Sequence, residues 1–313
     1  MKSWTVRRVG LSIAVATALT GLAACSSSGS SGSSGKDDKA AHKGTTRVSP
    51  IAALRTAEQS TDKADSAKVE STTTMGSLMS MTADGNLGWG DGITGTLTID
   101  YTGGTMADTM RQTGSTSMEA RYLPDAYYAR MGDKFAAQVG GKHWIKYAYD
   151  DLASLGGSSG AYLKDQMQNT TPNQSVKLLL ASGDVKKVGQ ETVRGQQTTH
   201  YSGTVNVADL ATKNSNLTAS QLAGLKKQLT QAGVSTEQVD IWINAQDLLV
   251  KKVEKGQMAT GRMTQTAYYS DYGVKVSAQA PSAGDTVDFK ELLKKQGLTP
   301  GSSDSSSGSG TSS

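Results

Sequence analysis

Cys25 is the only cysteine in the 313 residues. Its thiol is the chain's one strong nucleophile, and no disulfide framework or cysteine-rich metal site can be built around it. The three histidines, His42, His143 and His200, lie far apart and lack cysteines or paired carboxylates at metal-ligand spacing. No metal and no cofactor is expected, and His200 reads as a polar-face strand residue. Gly156-Gly157-Ser158-Ser159-Gly160 satisfies G-x-S-x-G, but a nucleophile elbow leaves a buried strand and enters a helix. This run instead forms a low-complexity loop after Asp150-Asp151. Ser60-Thr61-Asp62-Lys63 fits S-x-x-K without an accompanying S-D-N or K-T-G. The chain is therefore expected not to be an enzyme, and the chemistry that remains is modification of Cys25 and non-covalent binding.

The 32 basic and 28 acidic side chains give a net charge of +4. Lys2, Arg7 and Arg8 supply three of those charges, so the rest carries about +1 (4 − 3). With no basic stripe, nucleic acid is not an expected partner. The three cations precede an apolar stretch, Val9 to Ala24, that Gly10, Ser12, Thr17, Thr20 and Gly21 interrupt. It falls short of the roughly 20 apolar residues that a membrane span needs. It closes on Leu22-Ala23-Ala24-Cys25, which resembles the lipobox of bacterial lipoproteins. That resemblance implies a diacylglyceryl group on Cys25, with fatty acids such as palmitate, followed by cleavage before it. Residues 1–24 are then a signal peptide, and 25–48 the lipidated Cys and a disordered tether containing Ser26 to Gly35 (SSSGSSGSSG). A single domain spans 49–297, and 298–313 is a disordered Ser/Gly tail. The expected location is the outer face of the cytoplasmic membrane, with the lipid anchor as the membrane contact. Arg7-Arg8, flanked by Val6 and Val9, leaves Sec and twin-arginine export both open.

Within the domain, Ser49-Pro50 predicts an N-cap and a helix to about Ala64. From Lys68 the pattern turns to period two. Val69, Ser71, Thr73 and Met75 form one face of a strand, and Met79 and Met81 begin another. Asp84-Gly85-Asn86 and Asp91-Gly92 read as turns, and Ile93–Tyr101, Met106–Gln112, Ser117–Tyr122, Ala126–Met131 and Trp144–Tyr149 as strands. Ala161 to Met167 reads as a short helix. Thr171-Pro172-Asn173-Gln174 matches a capping box for a helix that runs to Gly183, and Thr218-Ala219-Ser220-Gln221 starts another with Leu222, Leu225 and Leu229 on one side. Val185–Val193 and Thr199–Val207 form a hairpin around Arg194-Gly195. Further strands follow at Val239–Asn244, Leu248–Lys255 and Met258–Tyr269. About ten antiparallel strands with inserted helices make an α+β domain.

Val188-Gly189-Gln190-Glu191-Thr192-Val193-Arg194-Gly195 followed by Thr199-His200-Tyr201-Ser202-Gly203-Thr204-Val205 is similar to a hairpin of the LppX/LprG-type actinobacterial lipoproteins. Val239 to Asn244 and Tyr268 to Val274, followed by Pro281, resemble a further strand and the closing strand of the same family. The resemblance implies a LolA/LolB-like fold, a curved antiparallel half-barrel packed over helices. It also implies a monomer that binds or transfers lipids or lipoglycans in a hydrophobic cavity. By alternation, Tyr201, Val205, Val207, Ile241 and Ile243 face inward, and the thioethers of Met79 and Met81 are flexible enough to line such a cavity. The same residues fit a filled core, so a surface lipoprotein acting as an interaction or scaffold module is the alternative. Trp89, Trp144 and Trp242 are candidates for an exposed rim. In Phe, with two residues, the chain is unusually poor for a lipid carrier.

Overall fold

A computed structural model describes residues 49–154, 164, 171–182, 184–211, 219–231, 233–258 and 261–295. All of them belong to the unit Arg47–Ser313. The elements in order are α1 (Pro50–Lys63), β1 (Ser66–Met75), β2 (Met79–Gly88), β3 (Thr94–Gly103), α2 (Gly104–Thr113), β4 (Ser117–Tyr122), β5 (Ala126–Arg130), α3 (Asp133–Gln138), β6 (Trp144–Ala148) and α4 (Tyr149–Ser154). Then follow α5 (Pro172–Ala181), β7 (Lys186–Val193), β8 (Gln196–Asn206), α6 (Ala219–Gln231), β9 (Val234–Asn244), β10 (Leu249–Met258), β11 (Gly261–Ser270), β12 (Thr286–Asp288) and α7 (Phe289–Lys295).

The strands form one twelve-stranded sheet in the order β12-β6-β5-β4-β3-β2-β1-β11-β10-β9-β8-β7. Neighbours are antiparallel except β12 and β6. At a strand spacing of about 4.8 Å such a sheet is roughly 50 Å wide, far broader than one helix can cover. It is open and curved, and its concave face wraps the helices. Leu97, Ile99, Tyr122 and Tyr127 from one half therefore share a single apolar cluster with Tyr201, Val205 and Ile241 from the other.

The helices lock to the sheet at few points. The Ser49 hydroxyl accepts from the Ala52 amide at 3.2 Å and caps α1. Thr61, buried on α1, takes the Trp89 indole N–H on its carbonyl at 3.2 Å and the Leu249 amide on its hydroxyl at 3.3 Å. Asn173 of α5 donates to Asp62 of α1 at 2.8 Å. Where α5 crosses β8 the chain has Gly203, and a Cβ there would lie 2.6 Å from Ser182 Oγ and 2.8 Å from Leu179 Cδ1.

Several sequence expectations change. Met106–Gln112 is the body of α2, not a strand, because Ala107 and Met110 sit three apart and bury one helical face. Asp84-Gly85-Asn86 lies inside β2, where Gly85 admits the Thr96 carbonyl; a Cβ would meet that oxygen at 2.1 Å. Val274–Ala278 belongs to no helix or strand, its Val274 carbonyl accepting from the Ser66 hydroxyl at 2.7 Å, and α3 and β12 are elements beyond those the sequence predicts. The three tryptophans are buried rather than rim-exposed. Trp242, on the convex face, is sandwiched between His200, stacked at 4.2 Å, and the Lys251 ammonium, 4.0 Å from its centroid. The outer edge, β7, is almost wholly exposed, carries Lys186 and Lys187, and is broken by a bulge between Lys187 and Gly189. Apart from Lys164, the Ala161–Met167 stretch lies outside the described residues, as do the Gly156–Gly160 run, Gly183, Thr218 of the second capping box, residues 1–48 and the tail 298–313.

Gly203→Val should overpack the α5–β8 contact. A loss of about 1–3 kcal/mol is expected, read as a lower urea midpoint at unchanged slope.

Candidate functional site

Register places the inward side chains in continuous rows across the concave face. One row runs Val205–Glu237–Gly256–Met263–Met75–Met79. The next runs Gly203–Val239–Glu254–Gln265–Thr73–Met81–Tyr101. A third runs Tyr201–Ile241–Lys252–Ala267–Ser71–Ala83.

Coverage of these rows is uneven. Tyr201, Val205, Val207, Ile241 and Ile243 are all buried in the main cluster; Val205 is 1% and Ile241 0% exposed. They form a close-packed wall, with α5 pressed onto it at Gly203. Toward β11, β1 and β2 the face opens. Met75, Met79, Met81, Met263, Gln265 and Ser71 point inward yet are only half-buried. Leu78, at the β1–β2 tip, and Met106 of α2 are exposed beside this strip, and the Met106 amide donates to the Leu78 carbonyl at 3.0 Å. The expected cavity residues are thus divided between an open strip (Met79 and Met81) and a packed wall (the other five).

A tyrosine wall bounds the far side. Tyr122 and Tyr127 meet edge to face at 5.0 Å, Tyr127 lies 5.8 Å from Tyr147, and Tyr147 lies 4.6 Å from Phe289 of α7. Burial pushes the Tyr147 phenol up to about 12. The buried Tyr149 hydroxyl has no hydrogen-bond partner among the described residues.

The sequence reading missed a charged group on the same concave face. Glu237, Lys252 and Glu254 are 3%, 9% and 6% exposed, and Lys252 Nζ donates to Glu254 Oε2 at 2.9 Å. Burial works against the lysine charge, but Glu254, Tyr269 and Glu237 outweigh it and hold its pKa above the ordinary lysine value. Burial first, and then Glu254, raises the Glu237 carboxyl to about 8, with Lys252 opposing. Glu237 was legible in principle, as the position two before Val239 in an alternating strand. Lys252 and Glu254 were hidden by the bulge between Leu249 and Lys251, which reverses the alternation of β10.

Other candidate groups stand apart. His200 lies on the convex face, 3.0 Å from Asp240 and 3.2 Å from Glu191. His143 pairs with Asp285 at 2.8 Å. Ser60 and Lys63 occupy the last turn of α1, with Lys63 exposed. Among the described residues no three His, Cys, Asp or Glu gather as a metal site, and no helix is long and apolar enough to cross a membrane. Cys25 lies outside them.

Comparison with known proteins places relatives beside this geometry. No family model matches the chain. An uncharacterized 31.2 kDa protein from the rplA–rplJ intergenic region of Streptomyces griseus is 61% identical over 82% of this chain and 84% of its own length. A protein of Streptomyces coelicolor named "putative lipoprotein" is 52% identical over 95% of this chain and 100% of its own. Among solved structures, LprF from Mycobacterium bovis is 14% identical over 75% of this chain and 97% of its own, with a TM-score of 0.44. Mycobacterium tuberculosis lipoprotein LppX is 14% identical over 74% and 98%, with a TM-score of 0.42. A LolA superfamily protein from Nitrosomonas europaea has a TM-score of 0.24 over 74% of this chain and 96% of its own, at 9% identity.

Glu237 binds its proton more tightly folded than unfolded. Its contribution to stability is complete below the ordinary carboxylate range and is lost as pH rises to about 8. Glu237→Gln should remove that fall, whose slope is at most about 1.4 kcal/mol per pH unit. Urea midpoints of both proteins from about pH 5 to about pH 8.5 check it.

Proposed function

The chain belongs to the family of these two streptomycete proteins, and from that membership we propose that it is an extracytoplasmic lipoprotein carrying acylated molecules on its concave face. In this reading two or three acyl chains on Cys25 hold it at the outer face of the cytoplasmic membrane, firmly enough to resist salt. The basic residues Lys2, Arg7 and Arg8, the short apolar stretch and Leu22-Ala23-Ala24-Cys25 support the anchor. The name of the Streptomyces coelicolor relative agrees with it, as does the sequence resemblance to LppX/LprG-type lipoproteins.

The observation that carries the binding reading is the half-buried methionine strip. Met75, Met79, Met81 and Met263 point into a face that helices cover elsewhere. Unbranched thioethers adapt to chains of varied shape, and an apolar concavity with a few polar groups suits the tail of an amphiphile. Tyr201, Val205, Val207, Ile241 and Ile243 then serve as the rigid wall behind the strip. Their close packing is also what a scaffold module with a filled core would have, and this keeps the alternative in view. The role is binding and transfer, without catalysis.

Native mass spectrometry of the purified protein should show lipid-sized adducts. Met79→Glu should abolish them while changing stability by less than about 0.5 kcal/mol, because the side chain is half-exposed. A wild-type protein free of adducts, and unable to take up added lipid, supports the scaffold module instead. In cells, Cys25→Ala should leave an uncleaved precursor or release the protein from the membrane fraction; normal processing with full retention would remove the anchor.

A further inference from the structure

Three large apolar side chains are exposed among the described residues: Val188 at 59%, Leu78 at 41% and Met106 at 37%. Val188 stands singly on edge strand β7, and an isolated exposed apolar residue needs no explanation. Leu78 and Met106 stand together, on a tip whose backbone is tied from several sides. The Leu78 amide donates to the Met75 carbonyl at 2.9 Å and closes the β1–β2 turn. The Gly76 amide donates to the Arg262 carbonyl of β11 at 3.1 Å. From α2, the Thr105 and Met106 amides donate to the Ser77 and Leu78 carbonyls at 3.1 and 3.0 Å. Gly104, at φ +82°, permits this approach, since a Cβ there would lie 2.6 Å from the Leu78 carbonyl. A turn tied in this way holds Leu78 outward, and the burial of two large apolar side chains is left to a partner.

The surroundings of the tip point to that partner. Behind it, half-buried Met75, Met79 and Met263 lead into the concave face. The three stretches that build it, 75–81, 103–107 and 258–263, contain one charged residue, the exposed Arg262. The helices show at which end the chain leaves the domain. α5 starts beside the last turn of α1, where Asn173 donates to Asp62; one turn on, Lys177 meets Glu58 at 3.9 Å, so the two helices are antiparallel. α5 ends at Ser182 against Gly203, in the row that also holds Thr73 and Met81. It therefore runs from the end where Thr61 binds Trp89 and Leu249 toward the methionine end. α1 runs the other way, which puts Ser49 about 18 Å from Thr61 on the methionine side. Cys25 lies 24 residues upstream of Ser49 (49 − 25), so an anchor there draws this end of the domain toward the membrane.

We infer, resting on the lipid anchor proposed above, that this tip is a membrane-docking surface and that its occupant is the headgroup boundary of the bilayer that holds the anchor. Leu78 and Met106 enter the boundary, and Arg262 meets lipid phosphates. The half-buried methionines then form an apolar path from the acyl layer to the concave face, along which an acyl chain passes without crossing water. A protein partner would also cover Leu78 and Met106, but it would account neither for the chain leaving at this end nor for the path behind them.

The test uses the full lipidated chain on vesicles of phosphatidylethanolamine and phosphatidylglycerol whose acyl chains are either brominated or plain. Ser77→Cys, exposed beside Leu78, or Val188→Cys on the far edge carries a fluorophore. Acylation occupies the Cys25 thiol, so the label goes to one site. The label at 77 should lose fluorescence on brominated vesicles relative to plain ones, and the label at 188 should not. Leu78→Glu combined with Met106→Glu in the Ser77→Cys chain should abolish that loss, with the fold checked by thermal melting. The vesicles hold no other protein, so quenching reports lipid contact alone. Equal quenching at 77 and 188, or none at 77 while the protein floats with the vesicles, overturns the docking surface, leaves the anchor standing and assigns the tip to a protein partner. Quenching at 77 that survives both glutamates overturns the roles of Leu78 and Met106. Failure of the wild type to float with the vesicles overturns the anchor and the docking surface together. The contrast between the two labels needs no glutamate variant, so a poorly folding one does not spare the proposal.

Discussion

The pairing of β1 with β11, from Lys68 opposite Ser270 to Met75 opposite Met263, is the seam on which the whole sheet depends. β1 to β6 and β7 to β11 are each meanders whose strands neighbour one another in sequence, cheap to assemble from local hairpins. Only this seam, which spans most of the chain, joins them into one concave surface and sets their rows in register. α1 reinforces it from inside. Thr61 binds the Trp89 indole after β2 and the Leu249 amide at the start of β10, so one residue holds both halves at the same end of the seam. Among the described residues the opposite end, at Met75 and Met263, has no such clamp, and its inward methionines are only half-buried.

That asymmetry divides stability from binding. Under α5, aliphatic residues meet a glycine at close range and leave no space, so this half contributes cohesion. Toward the β1–β2 tip, methionines replace the branched residues, and flexible contacts replace fixed ones. The tyrosine wall keeps its hydroxyls protonated by burial and so presents ring faces, without charge, to whatever lies beside it. A rigid wall and an adaptable strip on one sheet suit a binder of variable apolar shapes better than a uniformly packed core does.

Much of this is legible in the sequence. Ser49-Pro50 and Thr171-Pro172 mark the starts of α1 and α5 because the fixed φ of proline suits the first helical position; Ser49 also caps α1 through its hydroxyl, whereas Thr171 makes no side-chain capping bond. The alternation of β8 and β9 gives the inward faces of Tyr201, Val205, Ile241 and Ile243 directly. Met106–Gln112 misleads because a short stretch with two methionines fits either period, and its helical state follows from the face that Ala107 and Met110 bury. Gly85 misled because glycine marks both turns and close backbone approach. Which inward residues are covered, and which open, depends on where helices land. Nothing local to Met79 or Val205 records that. The Lys252–Glu254 pair was hidden by a single extra residue in β10, a shift that no periodicity count detects without its partner strand.

The exposed edge β7 has a consequence for molecules held on a surface. Proteins confined to two dimensions meet with restricted orientation and high local concentration, conditions under which an unpaired strand templates growth from copy to copy. Lys186 and Lys187 place like charges where two such edges would align, and the bulge at Gly189 bends the hydrogen-bonding groups out of the straight line that stacking needs. A sheet of twelve strands thus ends in an edge whose like charges and bulge both oppose the addition of a thirteenth strand from a neighbouring copy.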